Sequence, residues 1–298
     1  MQAHCRIPCL RVLLIYQGGR IVILVIDIGN TTIAFTGMKM LPQEGKNACG
    51  GQEDLPDFAV LFEEKIPTQT GKDLSLFLEK SSEILKRHGN ENIVRAVAVS
   101  SVVPACTAAA QELSRRICGR DPVIVSFRCS TGLSFGEIPW PQKVGADRIA
   151  DAAWAAAHYP LPAMTVDMGT ATTINVVSSR KEFLGGMIGA GVRTSLRALG
   201  AGTAQLPDLE PGPVPKERLI GNDTVGCMLS AAVVGTASMI DGITAHVEEQ
   251  LGSQLTLILT GGNAPFVSEW VRHPHIYEPD LAAKGTALIA LQTMKNQA

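Results

Sequence analysis

The chain has 298 residues, which fits two domains of roughly 150 residues, each large enough to form its own hydrophobic core. Its formal net charge of −2 gives no electrostatic reason to expect nucleic acid or an anionic membrane as a partner. Hydrophobic residues make up 46% of the chain and aromatic residues 5%, which is typical of α/β enzymes. The seven cysteines are scattered and form no Cys-x-x-Cys pair, which indicates reduced thiols in a cytoplasmic protein.

The first 20 residues differ in character from the rest of the chain. Their apolar run, Leu10–Ile15, is interrupted by Arg11, is too short to span a bilayer and has no small-residue cleavage site behind it. We therefore expect residues 1–20 to be a poorly packed N-terminal extension and not a targeting segment. The two domains are then predicted at residues 21–144 and 145–298.

A buried strand is predicted over residues 21–26, because an unbroken aliphatic run rich in β-branched residues is typical of a strand covered on both faces. The run ends at Asp27, and a glycine and three small polar residues come after it (Gly29–Thr32). Glycine lets backbone N–H groups approach an anion, and the hydroxyl and amide side chains add neutral donors. Asp27 would repel a bare anion but suits a metal-bridged phosphate. We interpret this stretch as a phosphate-binding loop.

The next segments predict a returning hairpin strand (33–39), a strand (58–66), a helix (72–88) and a short buried strand (94–99). Pro104 is expected to open a further helix, because proline is tolerated at the first helical position. Ser100 and Ser101, between that strand and that helix, are by themselves ordinary turn residues.

The second chemical stretch is Gly145-Ala146-Asp147-Arg148, at the start of a strongly helical, alanine-rich segment. A carboxylate at a helix N-terminus is favoured by the helix dipole, so Asp147 judged alone is more simply a capping residue. The adjacent arginine can hold a substrate carboxylate through two parallel hydrogen bonds beside a base, which makes a catalytic role worth testing. Asp151, one turn later, is expected at the surface as a partner for Arg148.

The second half repeats the first loop: a strand over 164–166 ends in Asp167-x-Gly169-Thr170, 140 residues beyond Asp27. Two strand-Asp-x-Gly-hydroxyl units indicate a duplicated nucleotide-binding domain. A glycine-rich loop is then predicted over 185–191, a long helix capped just before Thr224, and a last buried strand over 255–259. That strand leads into Thr260-Gly-Gly-Asn263, whose paired glycines can pass beneath a purine or its ribose.

Together these motifs resemble the type III pantothenate kinases. The match rests on Asp27-x-Gly-Asn-Thr, Ser100-Ser-Val-Val-Pro, Gly145-Ala-Asp-Arg, Asp167-x-Gly-Thr-Ala-Thr, Gly185-Gly-x-Ile and Thr260-Gly-Gly-Asn, and it covers nearly everything after residue 21. The resemblance implies an α/β fold of the actin-like ATPase superfamily, which includes acetate and sugar kinases. Two ribonuclease H-like domains would enclose a nucleotide cleft, and the activity would be ATP-dependent phosphorylation of pantothenate, the first step of coenzyme A synthesis.

The resemblance also implies roles for individual residues. The ATP phosphate loop would consist of Asp27, Ile28, Gly29, Asn30, Thr31, Thr32, Ile33 and Ala34, with Thr170 also contacting ATP. Pantothenate would be bound by Gly145, Ala146, Asp147 and Arg148, with Asp147 as the base. Thr224 would contact pantothenate from a neighbouring subunit of a homodimer. Asp167 would hold a monovalent cation, K⁺ or NH₄⁺, and Mg²⁺ would accompany ATP.

The chain departs from the family pattern in two places. Ala190 stands where the family has a proline after its paired glycines, and Ile138 stands where it often has an aromatic residue, with Trp140 close by. Two alternative functions stay open: a regulatory protein of this fold that has lost catalysis, and another small-molecule kinase of the superfamily. The combination of Asp27, Asp147, Arg148 and Asp167 argues against the first, and the compact length and Gly145–Arg148 against the second.

Overall fold

The computed structural model describes residues 22–41, 55–89 and 93–297. The expected extension of residues 1–20 lies outside these ranges. Two sheets of five strands each, flanked by helices, make the described chain an α/β protein, as the sequence predicted.

The first sheet has the order β3-β2-β1-β4-β5. Its strands are β1 (Val22–Ile28), β2 (Thr32–Met40), β3 (Phe58–Pro67), β4 (Val94–Ser101) and β5 (Val123–Ile124). β1 is antiparallel to β2 and parallel to β4, and β2 is antiparallel to β3. A 3-10 turn, Thr68–Lys72, comes directly after β3.

The second sheet has the order β8-β7-β6-β9-β10. Its strands are β6 (Ala163–Met168), β7 (Ala171–Val177), β8 (Phe183–Ala190), β9 (Thr256–Thr260) and β10 (His275–Tyr277). β6 is antiparallel to β7 and parallel to β9, as β1 is to β2 and β4. Both sheets therefore have the same strand order and the same directions, which is the duplication that the repeated Asp-x-Gly loops predicted.

Seven α-helices occur in the described chain. They are α1 (Leu74–Arg87), α2 (Pro104–Cys118), α3 (Ala146–His158), α4 (Val192–Gly202), α5 (Thr224–Leu251), α6 (Ala264–Ser268) and α7 (Leu281–Asn296). Their starts reflect local chemistry: Asp73 caps α1 by accepting the Leu76 N–H at 3.0 Å, and Pro104 occupies the first position of α2 as predicted.

The chain divides into two compact units. The first contains the described residues up to 131, together with 145–150 and those from 286 onward, and the second contains residues 132–144 and 151–285. The predicted domain boundary near residue 145 stays a prediction. The core of the first unit packs α1 and α2 against β1 and its neighbours through fully buried side chains such as Leu24, Ile26 and Phe77, each worth about 1.5–3 kcal/mol of transfer free energy.

The 28-residue helix α5 belongs to the core of the second unit. Buried side chains recur along it at helical spacing, among them Met228, Val233, Ile240 and Val247. Within the described ranges it is the one helix long and apolar enough to cross a membrane by length and composition, a test that core helices also pass.

Two sequence expectations were wrong. The glycine-rich stretch over 185–191 is not a loop: residues through Ala190 form the edge strand β8, whose backbone groups on the side facing β7 are paired without any need for larger side chains. Asp151 is not at the surface but is 1% exposed, because residues Ile149–Ala156 of α3 are all buried. Small alanine side chains allow neighbouring elements to pack close to this helix.

Candidate active site

The first loop connects β1 to β2. Asp27 is the second-last residue of β1 and lies in register with Ala34 of β2 and Ser100 of β4. The turn is closed on one side by the Gly29 N–H, which donates to Thr32 O at 3.0 Å. The side chains at its tip, Asn30–Thr32, are exposed, so a ligand can reach them. Ile28 and Ile33 are buried and could offer only backbone atoms.

The carboxyl group of Asp27 is electrostatically unusual. Burial raises its pKa from 3.8 to about 6, because the protein excludes most water around the carboxyl group itself. Other parts of the residue keep some surface exposure. The dipole of the nearby Ser100 hydroxyl opposes this rise, and the negative charge of Asp147 adds to it. Asp27 is therefore poorly compensated by protein charges, which is the condition in which a carboxylate gains most from a bound cation.

The Gly145–Arg148 motif belongs to the same compact unit as Asp27. It forms the entry to α3, and Asp147 Oδ1 accepts the backbone N–H of Arg148 at 2.8 Å. A Cβ atom at Gly145 would lie 2.4 Å from Asp147 Oδ1, so a larger residue here would displace the Asp147 carboxylate from its present position. Asp147 and Arg148 are both half-buried, and Ala146 is buried beneath them. Asp147 is close enough to Asp27 for its negative charge to raise the pKa of the Asp27 carboxyl group, although burial is the larger cause.

The second loop, in the other unit, is built like the first. Asp167 is the second-last residue of β6, and the Gly169 N–H donates to Ala171 O at 3.0 Å to form the turn into β7. Thr170 is exposed at its tip. Its carbonyl oxygen accepts both the Gly191 N–H at 3.1 Å and the Thr194 hydroxyl at 2.6 Å, so the start of α4 fixes the loop.

The Thr260-Gly-Gly-Asn263 motif packs directly against this second loop. Gly261 has φ +91°, and a Cβ atom there would lie 2.3 Å from Asp167 Oδ1 and 2.6 Å from Met168 N. The Asn263 side-chain amide donates to Met168 O at 3.0 Å. The motif that the sequence singled out for purine contact therefore also shapes the surroundings of Asp167.

Thr224 is the first residue of α5 and is exposed. Asp223 caps the helix by accepting the Gly226 N–H at 2.7 Å, as expected from the sequence. Asp223 and Val225 line a cavity of about 190 Å³, which is also lined by Arg218. Thr224 thus lies beside a small concave surface of its own unit.

The two departures from the family pattern have different surroundings. Ile138 packs into a small apolar cluster with Phe183, so it serves the core. Trp140 is 60% exposed, with Lys143 Nζ 5.2 Å from its ring centroid. Ala190 is exposed at the end of β8.

Ser100 was expected to be an ordinary turn residue, and Thr68 was not identified from the sequence. Ser100 is 1% exposed and adjoins Asp27, and its hydroxyl has no hydrogen-bond partner of normal length in the described chain. Thr68 donates its hydroxyl hydrogen to Gly29 O at 2.7 Å and its N–H to Thr31 O at 3.0 Å. The position of Ser100 at a strand end was a usable signal, whereas a single threonine 39 residues from Gly29 gave none.

The residues around Asp27 fit a nucleotide-bound Mg²⁺. In the part of the chain that the structure describes, no group of three or more His, Cys, Asp or Glu side chains forms a ready-made metal site. Mg²⁺ in kinases needs less protein, because one or two carboxylates plus substrate phosphates hold it. Asp27 would supply such a carboxylate, and the Ser100 hydroxyl would supply a second oxygen. Asp167 offers a carboxylate oxygen, the ligand type that hard cations prefer.

Known proteins resemble this chain most clearly in sequence. The sequence profile of the type III pantothenate kinase family matches residues 23–246. The type III pantothenate kinase of Caulobacter vibrioides is 32% identical over 73% of this chain and 82% of its own length. The enzyme of Hyphomonas neptunium is 31% identical over 88% of this chain and 96% of its own length. The enzyme of Moorella thermoacetica is 29% identical over 90% of this chain and 98% of its own length.

Among solved structures, the activator of 2-hydroxyisocaproyl-CoA dehydratase from Clostridium difficile has a TM-score of 0.49 at 11% identity, over 93% of this chain and 95% of that one. An inorganic polyphosphate/ATP-glucomannokinase from Arthrobacter has a TM-score of 0.45 at 13% identity, over 93% of this chain and 100% of that one. These structural likenesses are too distant to support an argument, and the sequence matches decide the assignment. The chain belongs to the type III pantothenate kinase family.

Proposed function

We propose that the chain transfers the γ-phosphoryl group of ATP to the primary hydroxyl of pantothenate, with Asp147 as the general base. The observation that carries this proposal is that Asp27 and Asp147 belong to one compact unit, where the charge of Asp147 acts on the carboxyl group of Asp27, whose pKa is raised mainly by burial. A phosphate-loop carboxylate and a second carboxylate on a helix start are the two acidic groups that a small-molecule kinase needs. One serves the nucleotide and the other serves the acceptor hydroxyl.

The acceptor side is assigned to α3. Asp147 accepts the proton of the pantothenate hydroxyl as the oxygen attacks the γ-phosphorus and ADP leaves. Arg148, the next residue, binds the pantothenate carboxylate through its planar guanidinium. Binding the carboxylate at one end fixes the hydroxyl at the other, and such positioning supplies much of the rate enhancement in phosphoryl transfer.

The nucleotide side is assigned to the two Asp-x-Gly loops. The loop Asp27–Ala34 binds ATP phosphates through exposed backbone N–H groups and small polar side chains, and Thr170 contacts ATP from its own loop. Asp27 and Ser100 would hold Mg²⁺, which neutralises the charge that develops on the transferred phosphoryl group. Asp167 would hold K⁺ or NH₄⁺.

We further propose a cytoplasmic homodimer in which Thr224 contacts pantothenate bound by the other subunit. The support within this chain is the outer face of α5, where Val225 and Met239 are about 40% exposed and Gly235 and Gly242 leave the backbone accessible. An apolar face with small residues permits close packing of two helices. Sedimentation analysis of the purified protein tests this assignment, and a monomer at micromolar concentration would contradict it.

A coupled assay of ADP release tests the proposed reaction. Purified protein with ATP, Mg²⁺ and K⁺ should release ADP when pantothenate is added and should yield 4′-phosphopantothenate by mass spectrometry. Glucose and acetate in place of pantothenate are the controls for other kinases of the superfamily. Turnover of either control with pantothenate ignored would overturn the proposal, and the absence of any turnover would favour a regulatory protein.

A further inference from the structure

Thr68 lies beneath the first phosphate loop but is not part of it. It is the first residue of the 3-10 turn after β3, and it is 4% exposed. Two hydrogen bonds join it to the loop: its hydroxyl donates to Gly29 O at 2.7 Å, and its backbone N–H donates to Thr31 O at 3.0 Å. One buried residue thus holds two of the three peptide groups at the loop tip.

The hairpin turn between β1 and β2 has one of its two possible backbone hydrogen bonds. In a tight turn of this length the Thr32 N–H would donate to Gly29 O. Within the described ranges no such backbone bond forms: Gly29 O accepts the Thr68 hydroxyl instead, and only the reverse bond from Gly29 N–H to Thr32 O is made. The Thr32 N–H is therefore left available for another acceptor.

The same bonds decide where two N–H groups point. A trans peptide is planar, so its C=O and N–H lie on opposite sides. Since Gly29 O points toward Thr68, the Asn30 N–H of the same peptide points away from Thr68. Since Thr31 O also points toward Thr68, the Thr32 N–H points away as well. Both donors lie on the exposed tip of the loop, where an anion can meet them.

The position of Thr68 is itself fixed by contacts with α2 and β2. Its carbonyl oxygen lies 3.7 Å from Cys106 Sγ of α2. The 3-10 turn also passes so close to β2 that a Cβ atom at Gly71 would lie 2.6 Å from Ile33 Cδ1 and 3.0 Å from Cys106 Sγ. Tight packing on this side fixes the turn against β2 and α2.

We infer that Thr68 is a positioning residue for the phosphoryl donor: it holds two peptide groups of the loop so that the Asn30 and Thr32 N–H groups face the ATP phosphates. This inference rests on the proposed binding of ATP phosphates by the loop Asp27–Ala34. It adds a residue that makes no contact with ATP itself and acts through the orientation of two peptide groups.

The test compares Thr68→Val with Thr68→Ser. Valine keeps the shape but cannot donate to Gly29 O, so the peptide that carries the Asn30 N–H loses its anchor and the loop no longer holds its donors in one orientation. Hydrogen bonds to charged groups are worth enough that the Kd for ATP, measured by calorimetry, should rise about 10- to 100-fold. The KM for pantothenate should stay near the parent value, and Thr68→Ser should restore ATP affinity because it restores the donor.

Thr244→Val is the matched control. Thr244 is also fully buried and also donates its hydroxyl to a backbone oxygen, Ile240 O at 2.7 Å, but within α5. It should lower stability without changing ATP affinity. Parent-like ATP binding by Thr68→Val, or an equal loss in Thr68→Val and Thr244→Val, would overturn the inference.

A measurement on the unaltered protein covers the case in which Thr68→Val does not fold. In amide NMR spectra, titration with ADP should shift the Asn30 and Thr32 signals more than that of Gly37, which lies along β2. Shifts elsewhere in Asp27–Ala34 with Asn30 and Thr32 unmoved would overturn the role of Thr68. If no residue of Asp27–Ala34 responds, the proposed ATP site itself is overturned.

Discussion

Replacement of Asp27 by asparagine should stabilise the protein while removing its activity. Burial raises the pKa of Asp27 from 3.8 to about 6, so at pH 8 the folded chain carries an ionised carboxylate that the unfolded chain ionises more easily. A difference of roughly two pKa units corresponds to about 3 kcal/mol of unfolding free energy. Asparagine has no charge to bury, so the variant should gain up to this amount in the absence of divalent cations.

The sign of the pH dependence makes the prediction specific. An acid with a raised pKa in the folded state weakens the fold as the pH rises from its unfolded pKa to its folded one, here from about 4 to 6. The advantage of Asp27→Asn should therefore be full at pH 8 and about half as large at pH 5. Urea unfolding in the presence of EDTA at these two pH values measures it.

Glu64→Gln is the control with the opposite sign. Hydrogen bonds from His88 and Arg87 lower the pKa of Glu64 in the same unit. This carboxylate therefore stabilises the fold above its unfolded pKa, and its contribution is lost as the pH falls. Glu64→Gln should thus destabilise the protein at pH 8 and less so at low pH. The reasoning is refuted if Asp27→Asn is no more stable than the parent at pH 8, or if its gain does not change with pH.

Three further variants have defined outcomes. Asp167→Asn should keep the fold and lose activation by K⁺, as a K⁺ titration of turnover shows; unchanged activation would remove the cation assignment. Gly261→Ala should lower both the Tm and K⁺ activation, at a cost on the order of 1–3 kcal/mol, because its positive φ and the nearness of Asp167 Oδ1 leave no room for a Cβ atom; a parent-like Tm would contradict this. Arg148→Lys should raise the KM for pantothenate more than it lowers kcat, because an ammonium cannot make the paired hydrogen bonds; an effect on kcat alone would point to another carboxylate-binding residue.

The sequence predicted the parts of the fold that depend on local patterns. The aliphatic run before Asp27 became β1 with Val22–Ile26 buried, and Pro104 and Asp223 mark helix starts as expected. The short edge strands β5 and β10 were not predicted, because two or three residues are too few to show alternation.

The remaining misses come from tertiary pairing. Glycines favour loops by their own conformational freedom, but pairing with β7 overrides this preference in β8. Asp151 was assigned to the surface because charged residues usually lie there, and the burial of α3 is a property of the surrounding fold. Thr68 belongs to the same class, since its importance depends on a contact across 39 residues of sequence.

The kcat of Asp147→Asn, at saturating ATP and pantothenate, tests the central claim most directly. Asparagine keeps the shape of the side chain but cannot accept the hydroxyl proton, so kcat should fall by about 10²- to 10⁴-fold, or roughly 3–5 kcal/mol, while the Kd for ATP stays near the parent value. Asp73→Asn is the control, because Asp73 only caps α1 in the same unit and its replacement should leave kcat unchanged. A near-normal kcat for Asp147→Asn would show that this carboxylate serves only the helix start and that the base lies elsewhere.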